Sequence, residues 1–195
     1  MARIIVGVSG ASGIVLAHRA VGALTALNHQ VELVMTRDAC CTAAEEMGLQ
    51  YSTVEKFVGF FTPEQQRLIN IYKVHDFCAP IASGSFPVYG MLIIPCSMAT
   101  LAATAMGLSD NLLRRAADVT LKERRPLVIV PREAPLSEIH LENMLRITRM
   151  GGIIVPPVPG WYNHPKDLAD VENFIVGRAL DALKIDAQLY RRWGT

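Results

Sequence analysis

Charged side chains that suit an anion are concentrated in one stretch near the middle of the sequence. It reads as a basic helix, a buried β-branched strand at Leu127–Val130 and a charged turn. Arg115 and Lys122 lie seven positions apart, which places both on one helix face. Arg132 and Glu133 follow the strand, at the end where open α/β sheets bind ligands. The pattern predicts that these four side chains converge on an anion; the alternative is a solvated helix face beside an ordinary loop.

Small and hydroxyl-bearing residues follow three other predicted strands. Ser9–Gly13 precedes an apolar helix, where backbone N–H groups can approach an anion or a flat ring. Its glycines do not match the dinucleotide fingerprint G-x-G-x-x-G, and a tight turn is the alternative. Ser97 can cap another helix, and Ser97 and Thr100 can both face an anion at its N-terminus. Thr36 can cap the helix that follows it or bind a phosphate, and local reasoning favours the cap.

Three further features need an explanation. Glu45 and Glu46 lie near a predicted helix C-terminus, where the helix dipole disfavours a carboxylate, so either has another role or both are simply exposed. Cys96 ends a buried strand and is explained as a small core residue rather than a nucleophile. Half of the residues in the segment 156–165 are Pro or Gly and several others are aromatic or His, which predicts a stiff functional loop.

Composition excludes several classes of protein. The 195 residues are 51% hydrophobic and 19% charged, with a net charge of +1, so nothing global favours nucleic acid or an acidic membrane surface. The four cysteines form no C-x-x-C pair, so we expect no metal site. The first residues lack the charged and apolar regions of a leader, and no apolar run approaches the roughly 20 residues of a membrane span. A cytoplasmic protein with reduced thiols is expected.

The elements that position these residues alternate between strands and helices. The predicted strands are Ile4–Val8, Val31–Met35, Met91–Pro95, Leu127–Val130 and Ile153–Val155. Residues 52–61 are predicted to be a short β or irregular segment, and Ser109 or Asp110 to cap the basic helix. Five or six strands without a linker predict one doubly wound domain, residues 1–195, with a mostly parallel sheet.

The motifs together resemble the UbiX-like flavin prenyltransferases nearly end to end. They are SGASG (9–13), SGSF (83–86), PCSMATLA (95–102), RAADVTLKERRPLVIVPREAP (115–135), HLENM (140–144), PPVPGWYNHP (156–165) and RRW (191–193). The resemblance implies a Rossmann-like, flavodoxin-like three-layer α/β fold and a homo-dodecamer. It also implies that a dimethylallyl group passes from dimethylallyl phosphate to N5 and C6 of reduced FMN, without a metal. The product, prenylated FMN, would serve a UbiD-like partner decarboxylase.

The resemblance also implies roles for individual residues. Those expected to contact the flavin are Gly10, Ala11, Ser12, Thr36, Ser97, Met98, Ala99, Thr100 and Arg132. Those expected to hold the prenyl phosphate or close its site are Arg115, Lys122, Tyr162, Arg178 and Trp193. The catalytic group is expected to be Ser12, Glu46, Lys122 and Glu133, with proton handling by its serine and glutamates. Phe77 departs from the Trp of some members, and the choice of Glu46 over Glu45 and of phosphate over pyrophosphate donor stays open.

Three rival functions are weaker. A flavin-dependent cysteine decarboxylase would carry a PxMNxxMW-like segment, where this chain has PREAPLSEIHLENM. A non-catalytic FMN carrier needs no second anion pocket, so Lys122, Tyr162 and Arg178 would have no reason to converge. Direct decarboxylation of aromatic acids would need machinery separate from the flavin pocket, and the sequence shows none.

Overall fold

A sheet of six parallel strands forms the centre of the computed structural model, which describes residues 1–194. Thr195, the last residue of the predicted domain, lies outside the described residues. The strands are β1 Arg3–Val8, β2 Gln30–Met35, β3 Ile69–Tyr72, β4 Gly90–Cys96, β5 Leu127–Pro131 and β6 Ile153–Ile154. Their order is β3-β2-β1-β4-β5-β6, and every described pair is parallel. The predicted α/β fold with a mostly parallel sheet is confirmed.

Helices cover both faces of this sheet. They are α1 Ile14–Ala26, α2 Arg37–Met47, α3 Val54–Val58, α4 Pro63–Gln66, α5 Met98–Ala105, α6 Leu112–Lys122, α7 Glu138–Arg149 and α8 Leu168–Ala182. One apolar core joins α1, α2, α3 and α8 to the sheet, and a second joins α5, α6 and α7 to the opposite face. The layers are therefore helix, sheet and helix.

The central strands explain why the sheet is stable. Every residue of β4 is buried, and its side chains alternate between the two cores, with Leu92 in one and Ile93 in the other. Each fully buried aliphatic side chain of this kind contributes about 1.5–3 kcal/mol to the hydrophobic driving force. Runs of β-branched residues that face helices on both sides are typical of parallel sheets.

Two local predictions were wrong. The segment 52–61 contains helix α3, whose Thr53 cap accepts a hydrogen bond from Lys56 N–H, rather than a β segment. Helix α6 is capped by Asn111, not by Ser109 or Asp110. All three residue types suit an N-cap, and Leu112 N–H, next to Asn111, donates to Val74 O at 2.7 Å.

Candidate active site

The carboxyl ends of β1 and β4 form a crevice at the point where the strand order reverses. From β1 the chain proceeds to β2 and β3 on one side, whereas β4 leads to β5 and β6 on the other. The buried Ser9 hydroxyl joins the two strand ends: it accepts a hydrogen bond from Ser97 N–H at 2.8 Å and donates to Pro95 O at 3.3 Å. Ligands of open α/β sheets bind at such a reversal point.

Three helices begin at one cavity of this crevice. Each N-cap side chain accepts a hydrogen bond from the backbone N–H three residues on, at 3.1 Å for Thr36, 3.3 Å for Ser97 and 3.0 Å for Asn111. We call the cavity the strand-end crevice; its lining includes Gly10, Thr36, Ser97, Thr100, Asn111 and Arg114. Its volume of about 210 Å³ is below that of pockets that hold a whole ligand. Three positive helix ends around so small a space suit one anionic end of a ligand.

Several residues that the sequence predicted to contact flavin lie in this crevice. Gly10 approaches α2 so closely that a Cβ atom there would lie 2.5 Å from the Asp38 Cβ, which explains the glycine. The predicted flavin contacts that line the cavity are Gly10, Thr36, Ser97, Ala99 and Thr100. Met98 is the first residue of α5, and the Ala11-Ser12 pair lies in the loop before α1.

The Glu46 carboxylate binds the N-terminus of α1. Its oxygens accept hydrogen bonds from Gly13 N–H at 3.0 Å and from Ile14 N–H at 2.9 Å, next to the exposed Ser12. The carboxylate lies at the C-terminal end of its own helix but at the positive end of another, which is electrostatically favourable. Glu46, rather than Glu45, is therefore the carboxylate beside the glycine-rich loop.

Arg132 and Glu133 follow β5 and flank a second cavity. The Arg132 N–H donates to Cys96 O at 3.0 Å, which ties the end of β5 to the end of β4. The cavity has a volume of about 370 Å³ and an apolar wall that includes Met144, Pro157 and Val158. Both charged side chains are exposed in the single chain, and they lie at the carboxyl ends of the strands, as the strand-end crevice does.

The C-terminal residues that were predicted to bind the prenyl phosphate lie in and beside a cluster of aromatic side chains. The rings of Tyr162 and Trp193 meet edge to face at 5.1 Å, and Tyr162 also contacts Phe174. Arg178 donates to the Tyr190 hydroxyl at 3.2 Å, and this hydrogen bond raises the pKa of its guanidinium. The predicted trio of Tyr162, Arg178 and Trp193 thus belongs to one part of the surface, beside a cavity of about 350 Å³.

The structure does not bring Lys122 to the strand ends of its own chain. Helix α6 starts at the strand-end crevice and ends at Lys122, roughly 15 Å further along the helix axis. Lys122 pairs there with Glu123, whereas Arg115 donates to Ala82 O at 3.1 Å and pairs with Asp118. The predicted convergence of the helical cations with Arg132 and Glu133 is therefore not found within one chain.

Cys96 behaves as the core residue that the sequence indicated. Its side chain is buried, and burial raises the pKa of its thiol to about 12. A thiol that stays protonated at neutral pH is a poor nucleophile.

Sequence reasoning missed several polar side chains that line the crevice, namely Arg37, Asp38, His75, Asn111 and Arg114. The Arg114 side chain is only 18% exposed, and its Nε has no hydrogen-bond partner among the described residues. Arg114 stands next to Arg115, and helical periodicity alone does not say which of two adjacent arginines faces the site. The apolar pattern of α6 could have indicated which arginine faces the crevice, because burial of Leu113 and Ala117 fixes the rotation of the helix about its axis.

Comparison with known proteins decides the family. Residues 1–180 match the model of the Flavoprotein family. The flavin prenyltransferase UbiX of Chlamydia pneumoniae is 45% identical over 193 residues, which cover 99% of this chain and 98% of that protein. This chain belongs to the UbiX flavin prenyltransferase family. The predicted family is confirmed.

Two solved UbiX structures share the whole fold. AnUbiX, crystallised with FMN and dimethylallyl pyrophosphate, superposes with a TM-score of 0.87 at 42% identity, covering 100% of this chain and 98% of that one. A dodecameric FMN-dependent UbiX-like decarboxylase from Escherichia coli O157:H7 gives 0.86 at 42% identity, covering 99% and 100%. The flavodoxin-like architecture expected of a UbiX protein is therefore present over the full length of the match.

No group of three or more His, Cys, Asp or Glu in residues 1–194 is arranged to hold a metal ion. None of the helices described here combines the length and apolar character needed to cross a bilayer.

Proposed function

We propose that this chain is a flavin prenyltransferase that joins a dimethylallyl group to N5 and C6 of reduced FMN. The observation that carries the proposal is the presence of two separate places suited to an anion, on a chain whose full-length relatives are flavin prenyltransferases. A flavin carrier needs one such place, for the flavin phosphate. A transferase that takes a prenyl phosphate as its second substrate needs two.

The residues of the strand-end crevice fit FMN. Backbone N–H groups at three helix N-termini suit a phosphate, and the buried Arg114 Nε lacks a partner among the described residues. Arg132 and the apolar wall of the neighbouring cavity suit a flat ring system with polar edges. We assign flavin binding to Gly10, Ala11, Ser12, Thr36, Ser97, Met98, Ala99, Thr100 and Arg132.

The prenyl donor is assigned to the cationic and aromatic residues. When bound, FMN supplies the two positions that the allylic carbons join. Arg115, Lys122 and Arg178 stabilise the leaving phosphate by charge, which is the task that a metal ion performs elsewhere. Tyr162 and Trp193 exclude water, which would otherwise capture the allylic cation as an alcohol.

Proton handling is assigned to Ser12, Glu46 and Glu133. Glu133 stands at the sheet edge beside the apolar cavity, where it can accept a proton as the new ring closes. The Glu46 carboxylate is fixed by two backbone N–H groups next to the exposed Ser12 hydroxyl. This arrangement holds a carboxylate and a hydroxyl beside the loop that would face the flavin.

A second copy of the chain completes the site in this proposal. Lys122 lies at the far end of α6 from its own strand-end crevice, so it reaches a crevice only if another copy presents it. The dodecamer reported for the Escherichia coli protein supports such an assembly. Trp161, Leu168 and Trp193 are 71%, 70% and 79% exposed in the single chain, and they offer apolar surface for subunit contacts.

The wider context of the reaction stays a proposal as well. We expect one domain over residues 1–195, a cytoplasmic homo-dodecamer, and a UbiD-like decarboxylase that receives prenylated FMN. Direct decarboxylation of aromatic acids is the second candidate, because the Escherichia coli structure is described as a decarboxylase.

Mass analysis of the released flavin tests the proposal. The purified protein is incubated without oxygen with reduced FMN and either dimethylallyl phosphate or the pyrophosphate, and the flavin mass is then measured. A gain of one C5 unit that Glu133→Gln abolishes supports the transferase. An unchanged flavin mass with both donors would refute it, and release of carbon dioxide from an aromatic acid would favour the decarboxylase.

A further inference from the structure

Arg114 is the one arginine of the strand-end crevice whose side chain is mostly buried. Arg37 also lines this cavity, but it is exposed on the first turn of α2. The Arg114 side chain is 18% exposed. The backbone N–H of Arg114 donates to Oδ1 of the Asn111 cap at 3.0 Å. Its position is therefore fixed both by the helix start and by burial.

The ion pair of Arg114 does not account for its burial. Its Nη1 donates to both carboxylate oxygens of Asp110, at 2.7 and 2.8 Å, but Asp110 is 64% exposed. A pair whose carboxylate is so exposed is screened by solvent and stabilises the fold little. The Arg114 Nε is meanwhile buried without a partner among the described residues, and such a donor is costly unless a ligand satisfies it.

An anion has a reason to bind in this cavity rather than at the glycine-rich loop. The N-terminus of α1 already binds the Glu46 carboxylate through Gly13 N–H and Ile14 N–H. The N-termini of α2, α5 and α6 meet at the strand-end crevice, and Asp38 of α2 is the one carboxylate in their first turns. A second negative group at α1 would be repelled by Glu46, so the convergence of the three helices is favoured.

The charges that line the cavity favour a phosphate monoester. Asp38 is the one carboxylate among the lining residues, and the two guanidinium groups of Arg37 and Arg114 outnumber it. A guanidinium group offers several donors in a fixed plane, which suits a doubly charged phosphate better than a neutral hydroxyl. The volume of about 210 Å³ accepts a phosphate with its neighbouring carbons but not a tricyclic ring.

We propose that Arg114 is a specificity-determining residue that makes the enzyme select FMN over riboflavin by binding the flavin phosphate. The inference rests on the proposed function, since it takes flavin as the ligand, and it adds a residue that the motifs do not assign. The phosphate binds where the three caps meet, and Arg114 satisfies its buried Nε with a phosphate oxygen. Riboflavin, which lacks the phosphate, leaves that donor unpaired.

Equilibrium binding of the two flavins tests this inference without turnover. Dissociation constants for oxidised FMN and riboflavin are measured by flavin fluorescence with wild-type protein, Arg114→Gln, Arg114→Lys and Arg149→Gln. We expect Arg114→Gln to weaken FMN binding by about 10- to 100-fold and riboflavin binding hardly at all. Arg149→Gln removes the same charge from the exposed end of α7 and keeps the wild-type ratio of the two constants.

The ratio of the two constants separates specificity from a folding defect. A damaged crevice weakens both flavins together, so an unchanged ratio in Arg114→Gln would overturn the inference. If that variant does not fold, Arg114→Lys provides the test. We expect its ratio of the two dissociation constants to lie between the wild-type ratio and the ratio of a site that does not recognise the phosphate, because a point charge replaces the planar guanidinium group. If the wild type prenylates FMN but its preference for FMN over riboflavin does not depend on Arg114, only this inference is refuted. If the wild type does not bind FMN, the proposed function is refuted too.

Discussion

The two ends of helix α6 lie in different surroundings. At its first turn, Asn111 and Arg114 line the strand-end crevice, and Leu112 N–H donates to Val74 O at 2.7 Å. At its last turn, Lys122 is 48% exposed and pairs with Glu123 beside the loop that contains Gly84. One end therefore builds the site of its own chain, while the other presents a cation away from it.

The exposed end is nevertheless well fixed. Arg125 donates to Gly84 O at 2.7 Å and to Phe86 O at 3.1 Å, which binds the loop to the end of the helix. The hydrogen bond and charge of Lys122 lower the pKa of Glu123, which favours the ionised form of that carboxyl group. A lysine that is exposed in its own chain but held in one place suits a ligand or a neighbour outside the chain.

Lys122→Ala gives the largest expected effect and tests the division of labour along α6. We expect the rate of prenyl transfer to fall at least about 100-fold, since a charge that stabilises the leaving phosphate is lost, while FMN affinity stays at the wild-type value. Single-turnover mass analysis measures the first quantity and flavin fluorescence the second. A loss of FMN affinity equal to the loss of rate would contradict the separation of the two ends.

Co-expression sharpens this prediction. Lys122→Ala and Glu133→Gln are each expected to be inactive, but mixed assemblies regain activity if one copy supplies the lysine and another the glutamate. Lys122→Ala co-expressed with Lys122→Gln is the matched control and stays inactive. Mixed assemblies without activity would show that one chain supplies both residues.

Gly84→Ala tests the exposed end without altering a charge. A Cβ atom there would overlap the Glu123 carboxylate and lie 2.8 Å from Lys122 Nζ, so the pair must move. We expect about a tenfold loss of rate, because small misplacement of a catalytic group is costly, and unchanged FMN affinity. Gly22→Ala, where the nearest atom would be 3.4 Å away in Phe61, is the control and should retain the wild-type rate.

The difference between the two ends also shows what the sequence could predict. Local patterns predict five of the six strands, the Thr36 cap and the Ser97 cap, and the structure has all of these, whereas strand β3 was not predicted. The motif around Lys122 and Arg132 is continuous in sequence, yet strand β5 lies between them and places Arg132 at its carboxyl end, away from Lys122 at the end of α6. Continuity along a chain is therefore a poor guide to proximity when a whole strand lies between the residues.

Long-range contacts account for the rest. Glu46 is a poor residue for the end of its own helix, and only its contact with Gly13, 33 positions away, explains it. Ser109, Asp110 and Asn111 are equally good caps by residue type, and the bond between Leu112 N–H and Val74 O accompanies the choice among them. Such partners come from other elements of the fold, so no local rule selects them.

Asn111→Ala tests the end of α6 that faces the crevice. Loss of this cap should lower the free energy of unfolding by about 1 kcal/mol and weaken FMN binding severalfold, because a helix N-terminus at the phosphate frays. Ser137→Ala is matched, since Ser137 caps α7 in the same way but lies outside the crevice lining. Urea unfolding should show similar losses for both, and only Asn111→Ala should alter FMN affinity; equal affinities would remove α6 from the flavin site.

The smallest expected effect concerns the burial of the Cys96 thiol, beneath Ser97 at the crevice, and the pH dependence of the free energy of unfolding. Burial raises the pKa of Cys96 from 9.0 to about 12, so above pH 9 the unfolded chain loses a proton that the folded chain keeps. The free energy of unfolding therefore falls as pH rises through this range, with no such contribution below pH 8. Between pH 8 and 10 the free energy of unfolding of the wild type should fall by about 1.4 kcal/mol more than that of Cys96→Ala.

Other groups do not disturb this comparison. The raised pKa values of Tyr72 and Cys40 act with the same sign in both proteins and cancel. Cys78→Ala removes an exposed thiol and should keep the wild-type dependence. Equal slopes for wild type and Cys96→Ala in urea titrations would mean that water reaches the thiol, and that the strand ends beneath the crevice are open.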